Sequence, residues 1–289
     1  MKKLILVLVV ILVLLACGSP VLLYMDSVRD AAAMAAEPVV LSEAFVAPRA
    51  EPAPTPEPTP EPTPEPTPEP TPEPTPEPGA VDPDKPMVAL TFDDGPGAYT
   101  DWLLDVLDEY EEAKVTFFMC GSSIGSYEDT VRRAAESGHE VASHTWSHPD
   151  LPRLSYGEIS NEISDTRSLI YDVTGMDTKL MRPPYGNTDS RVIAVAEEEG
   201  VSLIKWSVDT MDWSVLNADA VHNHIMTWAS DGAIILCHDI HRTTIQAMER
   251  TIPALLDAGY QLVTISELLT CRGGSVEAGV IYHSQDEFY

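Results

Sequence analysis

The chain has few basic side chains, and this shortage excludes whole classes of partner. Lys and Arg number 17 against 46 Asp and Glu, which gives a formal net charge of −29 over 289 residues. Residues 79–289 alone hold 35 acids and 13 bases, so the acidity is not confined to one end of the chain. Nucleic acids and anionic lipids are bound largely through Lys and Arg at their phosphates. The composition therefore predicts no nucleic-acid partner and leaves a neutral or N-acetylated substrate open.

Cysteine is equally scarce, with four residues at Cys17, Cys120, Cys237 and Cys271. Four cysteines in a chain of this length do not make a disulfide framework. No C-x-x-C pair occurs, which argues against a thiolate zinc site. Cys120 and Cys237 fall in predicted strands, where small buried side chains are expected.

The N-terminus has the pattern of an export signal. Lys2 and Lys3 precede an unbroken apolar run over residues 4–17. Residues 14–17 resemble a lipoprotein cleavage box, with Cys17 as the lipidated residue. The alternative is an uncleaved anchor that extends to residue 24, because about 20 residues span a bilayer. We expect a signal or anchor at residues 1–25 and a juxtamembrane segment at 26–50, so that the protein is extracytoplasmic and tethered to the membrane.

A repeat of Pro-Glu-Pro-Thr fills residues 51–78. Proline at every second position fixes φ and removes backbone donors, so neither helix nor sheet can form there. A polyproline II spacer of this length would extend roughly 85 Å. Such a spacer would carry the following domain, residues 79–272, into the cell wall. The alternative is a low-complexity segment without a spatial role, and residues 273–289 form a tail that is either disordered or packed on the domain.

Apolar runs alternate with amphipathic stretches through the domain. Strands are predicted at 87–92, 115–120, 140–144, 179–182, 201–208, 233–238 and 261–266. Helices are predicted at 101–111, 127–136, 156–174, 190–199, 218–229 and 243–258. Strand–helix alternation indicates parallel pairing with right-handed crossovers. The expected fold class is α/β, a parallel (β/α) barrel of about seven strands, with an open doubly wound sheet as the alternative.

Five polar clusters lie at or near the ends of these strands, where α/β folds place active sites. They occupy residues 91–96, 144–148, 182–186, 209–213 and 236–238. Five other histidines have no comparable setting and are interpreted as surface or helix residues: His139, His222, His224, His241 and His283.

The first two clusters predict a metal site. Asp93 and Asp94 follow the first strand, and two adjacent carboxylates can divide the work of metal ligand and base. The alternative is an ordinary Asp-Asp-Gly-Pro turn. His144 and His148 are four residues apart, a spacing that can grip one divalent cation. Either signal is weak alone, but together they give two histidines and a carboxylate with positions left for water and substrate.

The third cluster offers groups that could support hydrolysis. Arg182 could pair with the base carboxylate and hold it ionised. Two prolines stiffen the loop, so the Tyr185 backbone N–H could donate to an oxyanion. The alternative is a plain Pro-Pro loop with a surface arginine.

The last two clusters could supply a general acid. His238 ends the sixth strand, where its imidazole could give up a proton near neutral pH. Asp212, with Asp209 nearby, could set its tautomer and raise its pKa. Trp213 could stack on a sugar ring or simply plug the barrel end, and Leu236 could line a pocket for a methyl group.

In order and spacing, the five clusters resemble the motifs of the polysaccharide deacetylases, the NodB homology domain of carbohydrate esterase family four. The resemblance covers about residues 85–270. It implies a distorted (β/α) barrel and a divalent metal, with zinc expected and cobalt or manganese as alternatives. It further implies the removal of N- or O-acetyl groups from sugars.

The resemblance also implies a role for each matched residue. The catalytic group would be Asp93 as general base, Arg182 orienting it, and His238 as general acid tuned by Asp212. The metal ligands would be Asp94, His144 and His148. The groups around the acetyl moiety would be the Tyr185 N–H, Trp213 and Leu236.

The tethered spacer favours a cell-wall glycan as substrate, with peptidoglycan N-acetylglucosamine first. N-acetylmuramic acid, chitin oligomers and O-acetylated xylan are alternatives. A non-catalytic wall-binding protein is an alternative of another class, although binding alone requires neither Asp93 nor His238. A metal phosphoesterase would need more ligands and basic phosphate contacts. No motif predicts a protein partner.

Overall fold

The computed structural model describes residues 81–288. The predicted signal or anchor with Cys17, the juxtamembrane segment and the Pro-Glu-Pro-Thr spacer lie outside the described residues and stay predictions. From residue 81 to residue 288, no helix combines the length and the apolar character needed to cross a bilayer.

Nine strands and nine α-helices are present in the described part of the chain. The strands are β1 Met87–Asp93, β2 Thr116–Met119, β3 Glu140–Ser143, β4 Leu180–Met181, β5 Ser202–Ile204, β6 Val208–Asp209, β7 Ala233–His238, β8 Gln261–Leu262 and β9 Ile281–Tyr282. The helices are α1 Thr100–Leu107, α2 Gly121–Ile124, α3 Glu128–Glu136, α4 Tyr156–Thr174, α5 Ser190–Glu198, α6 Asp212–Val215, α7 Ala218–Trp228, α8 Arg242–Asp257 and α9 Ile265–Thr270. Short 3₁₀ turns lie at Leu151–Arg153 and Pro184–Gly186.

The sheet has the strand order of a barrel. Its path runs β6-β7-β1-β2-β3-β4-β5-β9, and β8 pairs with the start of β1. All pairings between these strands are parallel. The order advances steadily from β1 to β5 without the reversal of a doubly wound sheet. The predicted parallel α/β barrel is therefore confirmed, and the doubly wound alternative is wrong.

The predicted single strand 201–208 is wrong, because the segment changes partners midway. β5 pairs with β4, whereas β6 pairs with β7 on the opposite side. The C-terminal segment lies where the two sides separate: β9 pairs with β5, and Ser284 bridges to Ala233 of β7. The tail therefore packs on the barrel and adds a strand to it.

The predicted strand 261–266 is also too long. β8 ends at Leu262, and α9 begins three residues later behind a capping box formed by Thr264 and Glu267. Each of these side chains satisfies a backbone N–H of the other residue, which stabilises the start of the helix.

Side chains alternate between two apolar cores along β1. Met87 and Ala89 face the barrel interior with Phe118, Ile234 and α9, whereas Val88 and Leu90 pack under the outer helices. Thr91 and Asp93 continue the inner row, because alternate strand residues share a face. The interior thus changes from apolar to polar toward the carboxyl ends of the strands.

His139 contradicts its interpretation as a surface or helix residue. It lies in the loop before β3, is 2 % exposed, and packs edge-on against the ring of Phe117. Burial, together with the positive charges of Lys114 and Arg133, lowers its pKa to about 4. The side chain is therefore held neutral in the folded protein.

Candidate active site

The carboxyl end of the barrel contains a cavity of about 400 Å³. Its walls carry side chains from all five sequence clusters and from Trp206: Asp93, Asp94, His144, His148, Tyr185, Trp206, Asp209, Trp213, Leu236 and His238. Strand register assembles part of this set, since Asp93 on β1 lies level with His238 on β7. Arg182 and Asp212 are fully buried and contact two of these wall residues from behind.

Backbone strain is concentrated at this end of the barrel. Six non-glycine residues between 81 and 288 have positive φ, from 45° to 70°: Asp94, Thr145, His148, Tyr185, Met211 and Leu216. All six lie in the loops that carry the sequence clusters or directly follow them. Such conformations cost about 1–3 kcal/mol each and persist where surrounding structure enforces them, often at functional sites.

Asp94, His144 and His148 converge on one point. The possible ligand atoms of these three residues all lie within 4.8 Å of one another. Asp94 Oδ1 is 3.5 Å from His144 Nε2 and 3.3 Å from His148 Nε2. Two imidazole nitrogens and one carboxylate oxygen are a donor set that suits zinc and related divalent ions. The residues therefore fit a divalent metal.

The surroundings of this triad favour metal binding. His144 Nδ1 lies 2.8 Å from the Arg182 carbonyl oxygen, to which it donates, so Nε2 presents its lone pair toward Asp94. Burial lowers the pKa of His148 and keeps its ring neutral. Burial raises the pKa of Asp94, but the hydrogen bond and charge of His144 outweigh it and bring the pKa to about 2. Asp94 and His148 are thus in the protonation state of a ligand at neutral pH.

Asp93 is fixed from behind by Arg182. The guanidinium Nη1 donates to Asp93 Oδ1 and to the Thr91 hydroxyl, both at 2.7 Å. The rest of the guanidinium donates to the backbone carbonyls of Ile204 and Lys205. The second oxygen of Asp93, Oδ2, faces His144 Nε2 at 3.7 Å, beyond hydrogen-bonding range. One carboxylate oxygen is therefore anchored and the other faces the cavity.

His238 is held across the cavity by Asp212. His238 Nδ1 donates to Asp212 Oδ1 at 2.8 Å, and its backbone N–H donates to Oδ2 at 2.7 Å. The Thr244 hydroxyl also donates to Oδ2. Burial lowers the pKa of His238, but the hydrogen bond and charge of Asp212, with Asp93 and Asp94, raise it to about 9. The imidazolium form is thus favoured, with Nε2 as its remaining donor.

Tyr185, Trp213 and Leu236 lie where the sequence places them, on the cavity wall. The Tyr185 ring packs edge-on against His148 with centroids 4.8 Å apart. The side chain of Trp213 is half exposed at the rim, whereas Leu236 is almost fully buried. The rim is therefore aromatic and open, and the floor is apolar.

The sequence analysis missed three supporting residues. Trp206 lines the cavity and lies 5.8 Å from the Arg182 guanidinium, and Thr244 on α8 completes the bonds to Asp212. Asp239 is fully buried, and burial raises its pKa to about 7. A Cβ on Gly95 would come within 2.5 Å of Asp239 Oδ1, so the first cluster can approach this carboxyl only with a glycine. Trp206 follows the inner alternation of β5, but no local signal marks Thr244.

Comparisons with known proteins identify relatives of this chain. Residues 80–204 match the family model described as polysaccharide deacetylase. The chain is 45% identical over 182 residues to the peptidoglycan-N-acetylglucosamine deacetylase PgdA of Listeria monocytogenes, covering 63% of this chain and 38% of PgdA. It is 34% identical over 190 residues to the peptidoglycan-N-acetylglucosamine deacetylase of Bacillus cereus, covering 64% of this chain and 69% of that relative.

A third relative is named for another sugar. The peptidoglycan-N-acetylmuramic acid deacetylase PdaC of Bacillus subtilis is 41% identical over 189 residues, or 65% of this chain and 40% of PdaC. The solved structure of PdaC superposes with a TM-score of 0.62 at 41% identity, covering 65% of this chain and 92% of that one. A structure described as T48 deacetylase with substrate gives 0.66 at 36% identity, covering 70% and 100%. The chain spans about two fifths of the length of PgdA and PdaC.

Proposed function

The chain belongs to the polysaccharide deacetylase family, and from this premise we propose that it removes N-acetyl groups from the N-acetylglucosamine of peptidoglycan. The observation that carries the proposal is the pair of anchored groups on either side of the Asp94–His144–His148 triad. Asp93 is backed by Arg182, and His238 is backed by Asp212. A wall-binding protein has no need for two such proton-transfer groups.

Asp94, His144 and His148 would hold the divalent metal, with zinc as our first choice. A bound divalent ion supplies a Lewis acid that polarises a carbonyl and lowers the pKa of water. Asp93 Oδ2, whose partner oxygen is anchored, takes the proton of the attacking water as general base. The Tyr185 backbone N–H donates to the developing oxyanion. His238 Nε2 gives its proton to the departing sugar nitrogen, and the products are acetate and a free amine.

The shape of the cavity supports an acetyl group as the part that enters deepest. Leu236 is 4 % exposed on its floor, while the exposed rings of Tyr185 and Trp213 stand at its rim. An apolar floor suits a methyl group, and aromatic rims suit the apolar faces of sugar rings. The whole sugar chain would then remain outside and lie across the rim.

The substrate assignment draws on the relatives, two of which are named as peptidoglycan-N-acetylglucosamine deacetylases. The second candidate is N-acetylmuramic acid, favoured by the match to PdaC. We also propose that the protein acts outside the cytoplasm, tethered through residues 1–25 and carried into the wall by the spacer at 51–78. The membrane tether is a prediction from the sequence alone.

Acetate release from N-acetylglucosamine oligomers and purified peptidoglycan tests the proposal. The full-length protein is assayed with zinc and with a chelator, and bound metal is measured by elemental analysis. We expect release that requires metal, and we expect Asp94→Ala to lose both metal and activity. His238→Ala should lose activity but keep its metal. Undiminished release in chelator, or loss of metal in His238→Ala, would contradict these assignments.

A further inference from the structure

Asp209 lies on the cavity wall, but the reaction described above does not use it. It is the last residue of β6 and lies level with Leu236 of the neighbouring strand β7. Val208, the preceding residue, packs in the outer core. Because strand residues alternate between faces, Asp209 points inward, on the same side as Leu236 and His238. The register therefore aims a carboxylate at the space above the acetyl floor.

One oxygen of this carboxylate is engaged and the other is available. Asp209 Oδ1 accepts the backbone N–H of Met211 at 2.9 Å. Between residues 81 and 288, no hydrogen bond or ion pair is recorded to Oδ2. Met211 has a φ of 57°, so the turn that engages Oδ1 is itself constrained. Asp209 is thus an oriented acceptor, half-buried at the cavity.

In the part of the chain that the structure describes, no lysine or arginine lines the cavity, and its carboxylates are Asp93, Asp94 and Asp209. Asp93 is paired with Arg182 and Asp94 with the two ligand histidines. Among the described residues, Asp209 is therefore the carboxylate in this wall that has neither a guanidinium nor a ligand histidine as its partner. A ligand group beside it should donate a hydrogen bond and carry no negative charge.

The two sugars of peptidoglycan differ in their charge and in the hydrogen-bond donor that they carry next to the acetamido group. N-acetylglucosamine is neutral and has a hydroxyl on the carbon next to the one that carries the acetamido group. N-acetylmuramic acid has a lactyl ether there, which replaces the hydroxyl donor with a carboxylate. In a cavity of about 400 Å³, a group one carbon away from the reacting amide remains close to the wall. A carboxylate beside Asp209 would be disfavoured by like-charge repulsion.

Resting on the proposed function, we infer that Asp209 is a specificity-determining residue for the sugar. Its free oxygen accepts a hydrogen bond from a hydroxyl of the bound sugar. Its charge selects the neutral N-acetylglucosamine over the anionic N-acetylmuramic acid. This selection narrows the substrate class left open by relatives that act on either sugar.

The substitution Asp209→Asn tests the inference with little disturbance of the fold. Asparagine keeps a carbonyl oxygen for the Met211 N–H and presents an amide donor where the free oxygen stood. For N-acetylglucosamine oligomers we expect KM to rise about tenfold, with kcat within about threefold, because a hydrogen bond to a charged group is lost. In peptidoglycan, the ratio of deacetylated muramic acid to glucosamine should rise at least about tenfold. Asp257→Asn, which removes an exposed carboxylate on α8, is the matched control.

A binding measurement separates this inference from the proposed function. The affinity for N-acetylglucosamine oligomers and for muramic-acid fragments is measured by calorimetry for Asp93→Asn, with and without Asp209→Asn. Weaker binding of the neutral oligomer and tighter binding of the acidic fragment in the double variant support the role of Asp209. Equal affinities in the two proteins, or an equal loss for both sugars, overturn it. Absence of acetate release from wild-type protein overturns the proposed function instead.

Discussion

Acidic side chains lie at both ends of the barrel, half-buried Glu140 at one and buried Asp93 at the other, but their surroundings differ. At the amino end of the strands, Glu140 accepts hydrogen bonds from the Thr116 hydroxyl and from both the N–H and the hydroxyl of Ser266. At the carboxyl end, Asp93 has one oxygen on Arg182 and the other facing the cavity. The first carboxylate is fully occupied and fixes α9 to β3. The second keeps an oxygen available for chemistry.

The backbone differs in the same way. The amino end is closed by α9, whose start has regular capping, and its interior is apolar. The carboxyl end carries the left-handed non-glycine residues and the pairs of buried charges. Since strained backbone lowers stability, its restriction to one end of the described barrel indicates that this end is shaped for function. Substitutions should therefore divide into those that remove activity and those that remove stability.

The largest effect is expected from Asp93→Asn at the carboxyl end. Asparagine can still accept from Arg182, but it cannot take a proton, so kcat should fall about a thousandfold. The melting temperature and the metal content should stay close to those of the wild type. Steady-state acetate release and thermal melting check this, with Asp257→Asn as control. Activity within tenfold of wild type would exclude Asp93 as the base.

Asp212→Asn should reduce kcat about a hundredfold and change its pH dependence. His238 must be protonated to act as acid, so activity is present below its pKa of about 9 and is lost above it. Without the Asp212 charge the pKa falls toward its ordinary value, and the alkaline limb moves to lower pH. A pH–rate profile measures this shift. An alkaline limb at the same pH in both proteins would mean that Asp212 does not tune His238.

At the amino end, Glu140→Ala should cost about 3 kcal/mol of unfolding free energy, because it leaves three partly buried donors without their acceptor. The activity of the folded fraction should change less than twofold. Urea unfolding and acetate release are measured side by side. Glu136→Ala, an exposed position on α3, is the control and should be nearly neutral. A Glu140→Ala variant that is stable but inactive would contradict the assignment of stability to the amino end and of activity to the carboxyl end.

The smallest effect is expected at His139, which lies beside Glu140. Its pKa of about 4 is below the ordinary 6.5, so its stabilising contribution is complete above pH 6.5 and declines as the pH falls toward 4. His139→Phe keeps an aromatic ring against Phe117, and within residues 81–288 Nδ1 has no hydrogen-bond partner to lose. Between pH 7 and pH 4, the free energy of unfolding of the variant should fall by about 2 kcal/mol less than that of the wild type. Parallel pH dependences would show that His139 does not contribute to acid sensitivity.

Prediction from sequence succeeded where signals are local. The predicted strand 233–238 coincides with β7, and the predicted helix 156–174 coincides with α4. The helix ends at Gly175, whose φ is 74°. The break between β5 and β6 was missed because it depends on pairing with β4, β7 and β9, which are distant in sequence. The start of α9 was missed although Thr264 and Glu267 carry a capping signal.

In the candidate site, too, some residues could be predicted from local sequence signals and others could not. Strand ends and motif spacing predicted an aspartate beside His144 and His148, and the family resemblance identified it as Asp94; the three side chains do lie together. The alternation of faces could also have identified Trp206 and Asp209 as inward-facing residues. Thr244 and Asp239 could not be found this way, because only the packing of α8 and α1 against the loops brings them to the site.

The most direct test of this account is acetate release from purified peptidoglycan by the protein and by Asp93→Asn, with bound metal verified in both. The account predicts steady release by the wild type, about a thousandfold slower release by the variant, and equal metal content. Equal rates in the two proteins, or no release by wild-type protein with metal bound, would contradict the assignment of the carboxyl end as a deacetylase site.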